Sequence, residues 1–323
     1  MTRILISDRT HEVLPQRLRE AGFDVSVEPD LDRAALIRAA QGCQGLVVRS
    51  KVIVDRPFID ACPSLRCIGR VGAGMETIDV DYASARGIRC LNSPEGNRDA
   101  VGEHAVGLLL ALLNHIPRAD AEVRRGLWQR EANRGLELGS LTVGIIGLGN
   151  MGRAFARRLA GFGCRIIYYD KYLENTEFPE FPEYPEKQNL LECMPSLSAL
   201  QQEADVVSFH VPLTPETRHY LDAPFIDAMR KPFFLLNTAR GAVVDTAALA
   251  DGLASGKVRG AALDVLEQEN MQADSMATDP SLLKIQNPEF NVVFTPHVAG
   301  WTVESKYKLA AVLADKIIDT LQA

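Results

Sequence analysis

The sequence predicts an α/β protein that contains two doubly wound parallel sheets. Short apolar segments of strand length alternate with helical patterns over residues 1–100, and the same alternation resumes at residue 141. Strands separated by helices in this way form parallel sheets covered by helices on both faces. A chain of 323 residues has room for two such domains, because a domain usually has ~100–200 residues.

The first hundred residues are predicted to form a five-stranded sheet. Strands are expected at residues 4–7, 25–27, 46–48, 67–71 and 88–91, with helices at 13–21 and 31–40. No glycine-rich turn follows the first strand, so we expect this domain to bind something smaller than a dinucleotide. Two of its loops follow strands at the edge where α/β sheets bind ligands. Each loop is equally consistent with a ligand-binding role and with an ordinary turn. The groups they offer are the side chains of Arg49, Ser50 and Lys51 and the backbone amides of Gly72, Ala73 and Gly74.

Residues 141–170 have the pattern of a nucleotide-binding strand, turn, helix and strand, which begins a Rossmann fold. The turn contains Gly147, Gly149, Asn150, Met151 and Gly152. The first glycine permits the tight bend, the second lets a pyrophosphate approach the backbone, and the third lets the helix pack on the strand. The second strand ends at Asp170, whose carboxylate can accept hydrogen bonds from a ribose diol and repels a 2′-phosphate. NAD is therefore predicted rather than NADP, although Lys171 stands beside Asp170.

The rest of the second domain continues the alternation. Helices are expected at residues 98–113, 119–126, 197–203, 224–229, 246–255 and 303–321, and strands at 206–210, 233–236, 260–263 and 292–294. The apolar helix at 98–113 is typical of a helix that bridges domains or pairs with a second chain. The repeat FPE, FPE, YPE at residues 178–186 has the three-residue period of polyproline II. It predicts an extended surface loop, with an oligomer contact or a cover near the adenine site as the alternatives.

Composition and charge exclude several classes of protein. A net charge of −7 and a pI near 5.5 argue against binding to nucleic acid or to an anionic membrane. The six cysteines form no CxxC pair and no zinc-ligand spacing, so we expect free thiols in a reducing cytoplasm and no metal site. The longest apolar run, residues 105–113, is too short to span a bilayer, and the N-terminus lacks the apolar core of a signal peptide. A soluble cytoplasmic protein is therefore expected.

Three loops in the second half of the chain follow predicted strands and carry groups suited to hydride transfer. Such a reaction needs a group that holds the carbonyl or alcohol, a proton donor or acceptor, and a group that tunes it. Arg240, Glu269 and His297 are the candidates, because successive parallel strands deliver them to one edge of the sheet. Taken alone, Arg240 is equally consistent with a surface cation, Glu269 with a solvated acid and His297 with a turn residue. The histidines at positions 11, 104, 115 and 219 have no partner that the sequence identifies.

Five motifs occur in the order found in one family of dehydrogenases. They are LGNMG at 148–152, HVPLT at 210–214, NTARG at 237–241, ALDV at 262–265 and TPH at 295–297. On these motifs the sequence resembles the D-isomer-specific 2-hydroxyacid dehydrogenases over nearly the full chain, and among them most closely the phosphoglycerate dehydrogenases. The resemblance implies a Rossmann NAD-binding domain, residues 101–296, inserted into a flavodoxin-like substrate domain, residues 1–100 and 297–323. It also implies a homodimer joined largely through the nucleotide domain.

The resemblance assigns roles to single residues. Arg240 is expected to hold the substrate carboxylate and polarise the C2 oxygen, and His297 to exchange a proton with that oxygen. Glu269 is expected to hydrogen-bond and orient His297 and to favour the imidazolium, and Asp264 corresponds to the acid that binds the nicotinamide carboxamide. The other expected cofactor residues are Gly147, Gly149, Asn150, Met151, Gly152, Asp170, His210, Val211, Pro212, Thr217, Asn237, Thr238, Ala239 and Gly300. The expected substrate residues are Arg49, Ser50, Lys51, Gly72, Ala73, Gly74, Asn97 and Arg98.

The implied activity is NAD-dependent interconversion of a small anionic D-2-hydroxy acid and its 2-keto acid. The first substrate candidate is 3-phosphoglycerate, oxidised to 3-phosphohydroxypyruvate in serine biosynthesis, because residues 49–51 form a cationic loop in an acidic protein. Hydroxypyruvate, glyoxylate and D-lactate-type substrates are the alternatives. From another functional class, an NADH-sensing corepressor-like scaffold shares the fold, and loss of turnover on mutating Arg49 and Lys51 discriminates against it. A formate-type dehydrogenase is disfavoured because that chemistry uses no Glu–His pair.

Three features depart from the family pattern. Asn270 stands where the family usually has proline after the glutamate, so the loop of Glu269 is expected to be looser. Trp301 replaces a usually small residue, and its bulk is expected to close the site to large substrates or to stack beside the nicotinamide. Because the sequence ends at residue 323, we expect no feedback control by serine through an appended domain.

Overall fold

The structure, a computed structural model, describes residues 1–173, 191–269 and 280–322. The proline-rich repeat at residues 178–186 and Asn270 therefore lie outside the described residues. The chain divides into two compact units, Met1–Ala100 with Trp301–Ala323, and Val101–Gly300. Each unit contains one parallel sheet, which confirms the predicted α/β class with two doubly wound sheets.

The first unit is built on a five-stranded sheet. Its strands are β1 (Arg3–Ile6), β2 (Asp24–Val27), β3 (Gly45–Val48), β4 (Cys67–Arg70) and β5 (Arg89–Asn92). All pairs are parallel, and the order across the sheet is β2-β1-β3-β4-β5, which is the flavodoxin-like order. The helices between strands are α1 (Val13–Glu20), α2 (Arg33–Ala40), α3 (Arg56–Ala61) and α4 (Val80–Ala85). The order reverses between β1 and β3, so the carboxyl ends of these strands form the ligand edge expected of such a sheet.

Aspartate caps begin three of these helices. The side chains of Asp32, Asp55 and Asp79 each accept a hydrogen bond from the backbone N–H three residues later, at the starts of α2, α3 and α4. Such a cap satisfies an N–H group that has no partner within the helix, and it contributes about 1 kcal/mol. Because α3 and α4 have six residues each, they are too short for a helical period, and the sequence pattern does not reveal them.

The second unit is built on a seven-stranded sheet. Its strands are β6 (Thr142–Ile146), β7 (Arg165–Tyr169), β8 (Leu191–Cys193), β9 (Val206–Phe209), β10 (Phe233–Asn237), β11 (Val258–Leu263) and β12 (Val292–Phe294). They pair in parallel in the order β12-β11-β10-β9-β6-β7-β8, which reverses between β6 and β9 as in a Rossmann sheet. The helices are α5 (Arg98–Leu113), α6 (Ile116–Arg124), α7 (Asn150–Leu159), α8 (Leu197–Glu203), α9 (Ala223–Ala228), α10 (Thr246–Ala254) and α11 (Pro280–Ile285).

The last helix, α12 (Val303–Gln322), belongs to the first unit. Its residues Leu313 and Ile317 are fully buried and lie over Gly69 of β4, where a Cβ would come within 3.0 Å of Ile317 Cδ1. The absence of a side chain at Gly69 lets the helix pack closely on the strand. Burial of one Leu or Ile side chain contributes about 1.5–3 kcal/mol. The helix therefore completes the core on one face of the first sheet.

The chain returns to the first unit at residue 301, whereas the expected domain boundary lies at residue 297. The difference has a local cause. The N–H of His297 donates to the backbone carbonyl of Asp264 at 2.7 Å, and the N–H groups of Val298 and Ala299 donate to its carboxylate at 2.9 Å. Because Asp264 follows β11, these bonds hold residues 297–300 on the second unit.

Candidate active site

The glycine turn joins β6 to α7 at the carboxyl edge of the second sheet. Gly147 has a φ of +89°, and a Cβ at this position would lie 2.8 Å from the carbonyl oxygen of His210. A Cβ at Gly152 would collide with the carbonyl oxygen of Gly147, so only glycine lets α7 begin this close to the strand. Gly149 at the N-cap of α7 faces open space. The amides that begin this helix, and that can bind an anion, are those of Asn150 and Met151.

Asp170 follows β7, and its carboxylate lies against the glycine turn. Its Oδ2 accepts a hydrogen bond from the N–H of Leu148 at 2.7 Å, and its Oδ1 accepts one from the N–H of Tyr172 at 2.9 Å. The neighbouring Lys171 pairs with Glu216 at 2.6 Å, and that hydrogen bond raises the pKa of the ammonium group. A negative charge therefore stands at the end of β7, while the cation next to it in the sequence is engaged by another acid. Both features favour a ribose diol over a 2′-phosphate.

His210 follows β9 and borders the turn. Its Nε2 lies 2.8 Å from the hydroxyl of Ser208, and its ring packs on Phe155 with centroids 5.3 Å apart. The residue keeps some exposed surface, but burial of its ring lowers its pKa to about 3. The imidazole is therefore neutral at physiological pH, which suits the lining role expected of it and not proton transfer. In the same segment, Thr217 Oγ1 donates to the carbonyl of Pro212 at 2.6 Å and closes the turn that follows Val211.

This sheet edge fits a dinucleotide. Two buried polar atoms, Nδ1 of His210 and Oγ1 of Thr238, have no hydrogen-bond partner in the part of the chain that the structure describes. Buried polar groups are nearly always hydrogen-bonded, so such atoms indicate a ligand or water that completes them. The open start of α7 and the carboxylate of Asp170 stand at the same edge, after β6 and β7. The pyrophosphate would bind at α7 and the adenosine ribose at Asp170.

Arg240 is held by a turn that Asn237 organises at the end of β10. The side chain of Asn237 is fully buried; its Oδ1 accepts from the N–H of Ala239 and its Nδ2 donates to the carbonyl of Arg240, both at 3.0 Å. Nη1 of Arg240 donates to the carbonyl of Ala239 at 2.7 Å. A Cβ at Gly241 would collide with the backbone of Leu266, so the loop after β11 packs directly on this turn.

His297 and Glu269 form a hydrogen-bonded pair on the loops that follow β12 and β11. Nδ1 of His297 lies 2.6 Å from Oε2 of Glu269, while Oε1 of Glu269 accepts from the N–H of Leu266 at 2.7 Å. A neutral imidazole that donates from Nδ1 carries its lone pair on Nε2. His297 also has a φ of +54°, a left-handed conformation that is rare for a residue with a side chain. Such backbone strain persists only where the surrounding structure enforces it.

Asp264 enforces this conformation. It is almost completely buried, and besides the two amides after His297 its carboxylate accepts the hydroxyl of Thr295 at 2.5 Å. Because that hydroxyl donates to Asp264, it must accept from Nε2 of His104, which lies 3.1 Å away. Sequence reasoning missed this role of His104, which is about 190 residues from Thr295 along the chain. The signal available was a histidine directly before the apolar run of residues 105–113 in α5.

The expected substrate residues lie in the first unit. The Arg49 guanidinium lies over the ring of Trp301, 5.5 Å from its centroid, and donates to the carbonyl of Arg9 at 3.3 Å; Ser50 and Lys51 are exposed. The other loop, Gly72, Ala73 and Gly74, is hydrogen-bonded to the end of β5. Oδ1 of Asn97 is buried without a partner among the described residues, and Arg98 begins α5. Trp301 is 70% exposed, so within its own unit it covers Arg49 rather than filling the core.

The described ranges contain no group of three or more His, Cys, Asp or Glu side chains arranged to hold a metal ion. No helix in them is both long enough and apolar enough to cross a lipid bilayer. The six cysteines are free thiols.

The sequence is similar to proteins of known class over its whole length. Residues 106–299 match the family described as D-isomer specific 2-hydroxyacid dehydrogenase, NAD binding domain, which confirms the predicted NAD-binding domain. The D-3-phosphoglycerate dehydrogenase of Methanocaldococcus jannaschii is 36% identical over 322 residues, covering 100% of this chain and 58% of the relative. The hydroxypyruvate reductase of Thermotoga maritima is 37% identical over 291 residues, covering 90% of this chain and 89% of the relative.

A solved structure shows the same arrangement of elements. The NADPH-dependent glyoxylate/hydroxypyruvate reductase of Sinorhizobium meliloti, in complex with NADP and malonate, superposes with a TM-score of 0.78 at 31% identity and covers 98% of this chain and 92% of that one. The chain spans little more than half the length of the phosphoglycerate dehydrogenases it matches, 58% and 57% for two of them. Both the family match and the full-length similarity to the Thermotoga maritima reductase lead to one conclusion. The chain belongs to the family of D-isomer-specific 2-hydroxyacid dehydrogenases.

Proposed function

We propose that this chain catalyses the NAD-dependent interconversion of a D-2-hydroxy acid and its 2-keto acid. The observation that carries the proposal is the 2.6 Å contact between Nδ1 of His297 and Oε2 of Glu269, on the sheet that also holds the glycine turn. Arg240 lies on the neighbouring strand end and can bind a carboxylate through two parallel hydrogen bonds. NAD, when bound, accepts or supplies the hydride. The loops after β10, β11 and β12 thus supply a cation, an acid and a base to one reaction.

The Glu269–His297 pair determines how the proton moves. In the oxidation direction, Nε2 of His297 takes the proton of the C2 hydroxyl, and the imidazolium that forms is stabilised by the carboxylate of Glu269. In the reduction direction, the same Nε2 returns the proton to the C2 oxygen. Arg240 holds the substrate carboxylate and stabilises negative charge on that oxygen. Asp264 and Thr295 keep the imidazole in place throughout, because they hold its backbone.

We propose 3-phosphoglycerate as the first substrate, which would place the reaction in serine biosynthesis. The support is the half-buried Arg49 and the exposed Lys51 in a protein of net charge −7, together with the similarity to phosphoglycerate dehydrogenases. Oδ1 of Asn97, a buried acceptor without a partner among the described residues, is proposed to accept the C2 hydroxyl of the same acid, and the amides of Ala73 and Gly74 are proposed to bind its carboxylate. Hydroxypyruvate is the second candidate, because the Thermotoga maritima reductase matches this chain over 89% of its length.

A substrate panel tests the proposal. The purified chain is assayed with 3-phosphoglycerate, D-glycerate, D-lactate, hydroxypyruvate and glyoxylate, each with NAD(H) and NADP(H). We expect the highest kcat/KM for the phosphorylated acid with NAD. Replacing Arg49 and Lys51 by glutamine should raise the KM for 3-phosphoglycerate at least about tenfold, as expected for the loss of a charge-assisted contact, and leave that for hydroxypyruvate unchanged. Equal effects on both substrates would contradict the binding of the phosphate group by Arg49 and Lys51. Absence of turnover with all of these acids would contradict the proposed dehydrogenase activity.

We also propose that the chain forms a homodimer through α6 and the segment after it. No residue of α6 is buried. Four large apolar residues within residues 116–128 are exposed: Ile116, Val123, Leu127 and Trp128. Exposed apolar side chains concentrated on one segment favour a protein interface there. Sedimentation should give a dimer for the wild type, and Val123→Glu with Trp128→Glu should give a monomer; a monomeric wild type would contradict the proposal.

A reducing compartment, such as the cytoplasm, is proposed as the location. All six cysteines are free thiols in the structure. Burial raises the pKa of Cys67 to about 12 and that of Cys164 to about 11, which keeps both thiols protonated and unreactive. Proteins of oxidising compartments more often pair their cysteines.

A further inference from the structure

The loop that follows β11 carries two acids, and each is paired with a different histidine. Glu269 pairs with His297, as described above. Glu267 pairs with His219, whose Nε2 lies 2.5 Å from Oε1. The second oxygen of Glu267 accepts from the N–H of Thr246 at 3.1 Å and from its hydroxyl at 2.8 Å. Every acceptor oxygen of Glu267 is thus engaged by a group on another segment.

These partners are themselves fixed. Thr246 is the first residue of α10, where a helix has N–H groups without intrahelical partners and a positive dipole end. His219 has a φ of +52°, and its N–H donates to the carbonyl of Ala242 at 2.8 Å. Ala242 lies two residues after Arg240. The imidazole that binds Glu267 is therefore tied to the segment that carries Arg240.

Backbone packing joins the same segments. A Cβ at Gly241 would collide with the carbonyl of Leu266 and would lie 2.6 Å from the N–H nitrogen of Glu267. Leu266 is also the residue whose N–H donates to Oε1 of Glu269. A shift of this loop would therefore move the Glu269 carboxylate together with the backbone next to Arg240.

We propose that Glu267 is a positioning residue for the reaction. By bridging His219 and the start of α10, it fixes the loop on which Glu269 orients His297. This inference rests on the proposed dehydrogenase function. A displacement of reacting groups by about 1 Å can reduce the rate about a hundredfold. We therefore expect loss of the Glu267 bridge to reduce kcat more than it weakens cofactor binding.

The alternative role for Glu267 is a purely structural one, and the chain offers a matched control. Asp205 bridges Lys231 at 3.0 Å and the N–H of Thr142 at 2.9 Å, at the opposite edge of the same sheet. The exposed side-chain fractions of the two pairs are nearly equal, 42% and 23% for Lys231 and Asp205 against 40% and 24% for His219 and Glu267. Loss of either bridge should cost similar stability, but of the two acids only Glu267 lies on the loop that carries Glu269.

The test compares Glu267→Ala, Glu267→Gln, His219→Gln and Asp205→Ala. For Glu267→Ala we expect kcat to fall about tenfold, while KM and the Kd for NADH stay within about twofold. Glu267→Gln, which still accepts from Thr246, should recover part of the rate. Asp205→Ala should lower Tm as much while leaving kcat and KM unchanged. A Glu267→Ala variant that lowers only Tm would overturn the inference.

A second measurement is independent of turnover. The imidazole signals of His297 are compared by NMR at one fixed pH in histidine-labelled protein, with His297→Asn providing the assignment. In Glu267→Ala the chemical shifts should move in the same direction as in Glu269→Gln, and in Asp205→Ala they should match those of the wild type. Unchanged His297 signals would refute the positioning role. Absence of turnover in the wild type would instead refute the proposed function, and the NMR result would still decide the role of Glu267.

Discussion

The hydroxyl of Thr295 donates a hydrogen bond to Oδ1 of Asp264 at 2.5 Å, and this bond joins the ends of two neighbouring strands. Asp264 is 1% exposed and also accepts the N–H groups of Val298 and Ala299. One buried carboxylate therefore sets the backbone on both sides of His297. The left-handed conformation of His297 depends on these bonds, since a residue with a side chain rarely adopts it unaided.

Replacing Asp264 by asparagine should impair both stability and turnover. One acceptor oxygen becomes an N–H₂ group, which leaves at least one buried donor without its partner and costs about 1–3 kcal/mol. The strained backbone at His297 is then free to relax, so kcat should fall at least about tenfold. Thermal denaturation and initial rates measure the two effects. Thr295→Val removes one side-chain hydrogen bond to Asp264, so its losses of stability and of kcat should both be smaller than those of Asp264→Asn. An Asp264→Asn enzyme as active as the wild type would contradict the role assigned to the carboxylate.

Replacing Glu269 by glutamine should slow the proton transfer. The carboxylate stabilises the imidazolium that forms when Nε2 of His297 takes the proton, so its removal raises the barrier of that step. The rate at saturating substrate should fall about tenfold or more, because the ring also loses its charged orienting partner. His297→Asn should reduce turnover by about a hundredfold or more while NADH still binds. Initial rates and NADH titrations measure both variants, and a Glu269→Gln enzyme as fast as the wild type would show that the pair does not carry the proton transfer.

Glycine at position 152 is required for the start of α7. An alanine Cβ would collide with the carbonyl oxygen of Gly147, which is backbone and cannot swing aside. Gly152→Ala should therefore displace the helix from the turn, cost about 1–3 kcal/mol and raise the Kd for NADH at least about tenfold. Gly161→Ala is the matched control, because a Cβ there meets no atom within 4 Å. Calorimetric titration with NADH measures both variants, and equal affinities would contradict the steric argument.

Most of the fold follows from sequence patterns that are local. Strand β12 (Val292–Phe294) and helix α8 (Leu197–Glu203) are observed at the residues predicted for them, since an apolar run and a helical period each lie within one segment. Two other elements do not follow from local patterns: β8 (Leu-Glu-Cys) is not an apolar run, and α4 has six residues, too few to establish a helical period. Their formation depends on caps and on neighbouring strands.

The site could be predicted only where the family motif or the position after a strand identified a residue. His297 and Glu269 were expected to pair, and their side chains lie within hydrogen-bond distance. His104 and His219 have partners about 190 and 48 residues away along the chain. No spacing rule connects such pairs, because they form only when segments that are distant along the chain fold against one another. The sequence therefore identifies residues that can take part in the reaction, but it does not identify most of the hydrogen bonds that hold those residues in position.

Burial of His210 should make the protein less stable in acid. Its folded pKa is lowered to about 3 by burial, while that of an unfolded histidine is about 6.5. Below pH 6.5 the unfolded chain binds a proton that the folded chain does not, so stability is lost as the pH falls toward 3, by at most about 1.4 kcal/mol per pH unit. His210→Gln removes this contribution, and its free energy of unfolding should fall less steeply between pH 6 and pH 4. Urea titrations at several pH values measure the slopes, with His11→Gln as a control; parallel slopes for His210→Gln and wild type would refute the claim.

Trp301 should determine how well Arg49 binds a phosphorylated acid. The indole lies under the guanidinium at 5.5 Å, and a cation–π contact at an exposed site contributes about 0.5–1 kcal/mol. Trp301→Leu removes the aromatic face, so Arg49 keeps only its bond to the carbonyl of Arg9 and loses part of its orientation. The KM for 3-phosphoglycerate should rise about threefold, which is what that energy predicts, while the KM for hydroxypyruvate should not change because that acid has no phosphate for Arg49 to bind. Trp301→Phe keeps an aromatic face, so its KM for 3-phosphoglycerate should lie between those of the wild type and Trp301→Leu. An equal rise in KM for both acids would mean that Trp301 shapes the whole site and does not act through Arg49.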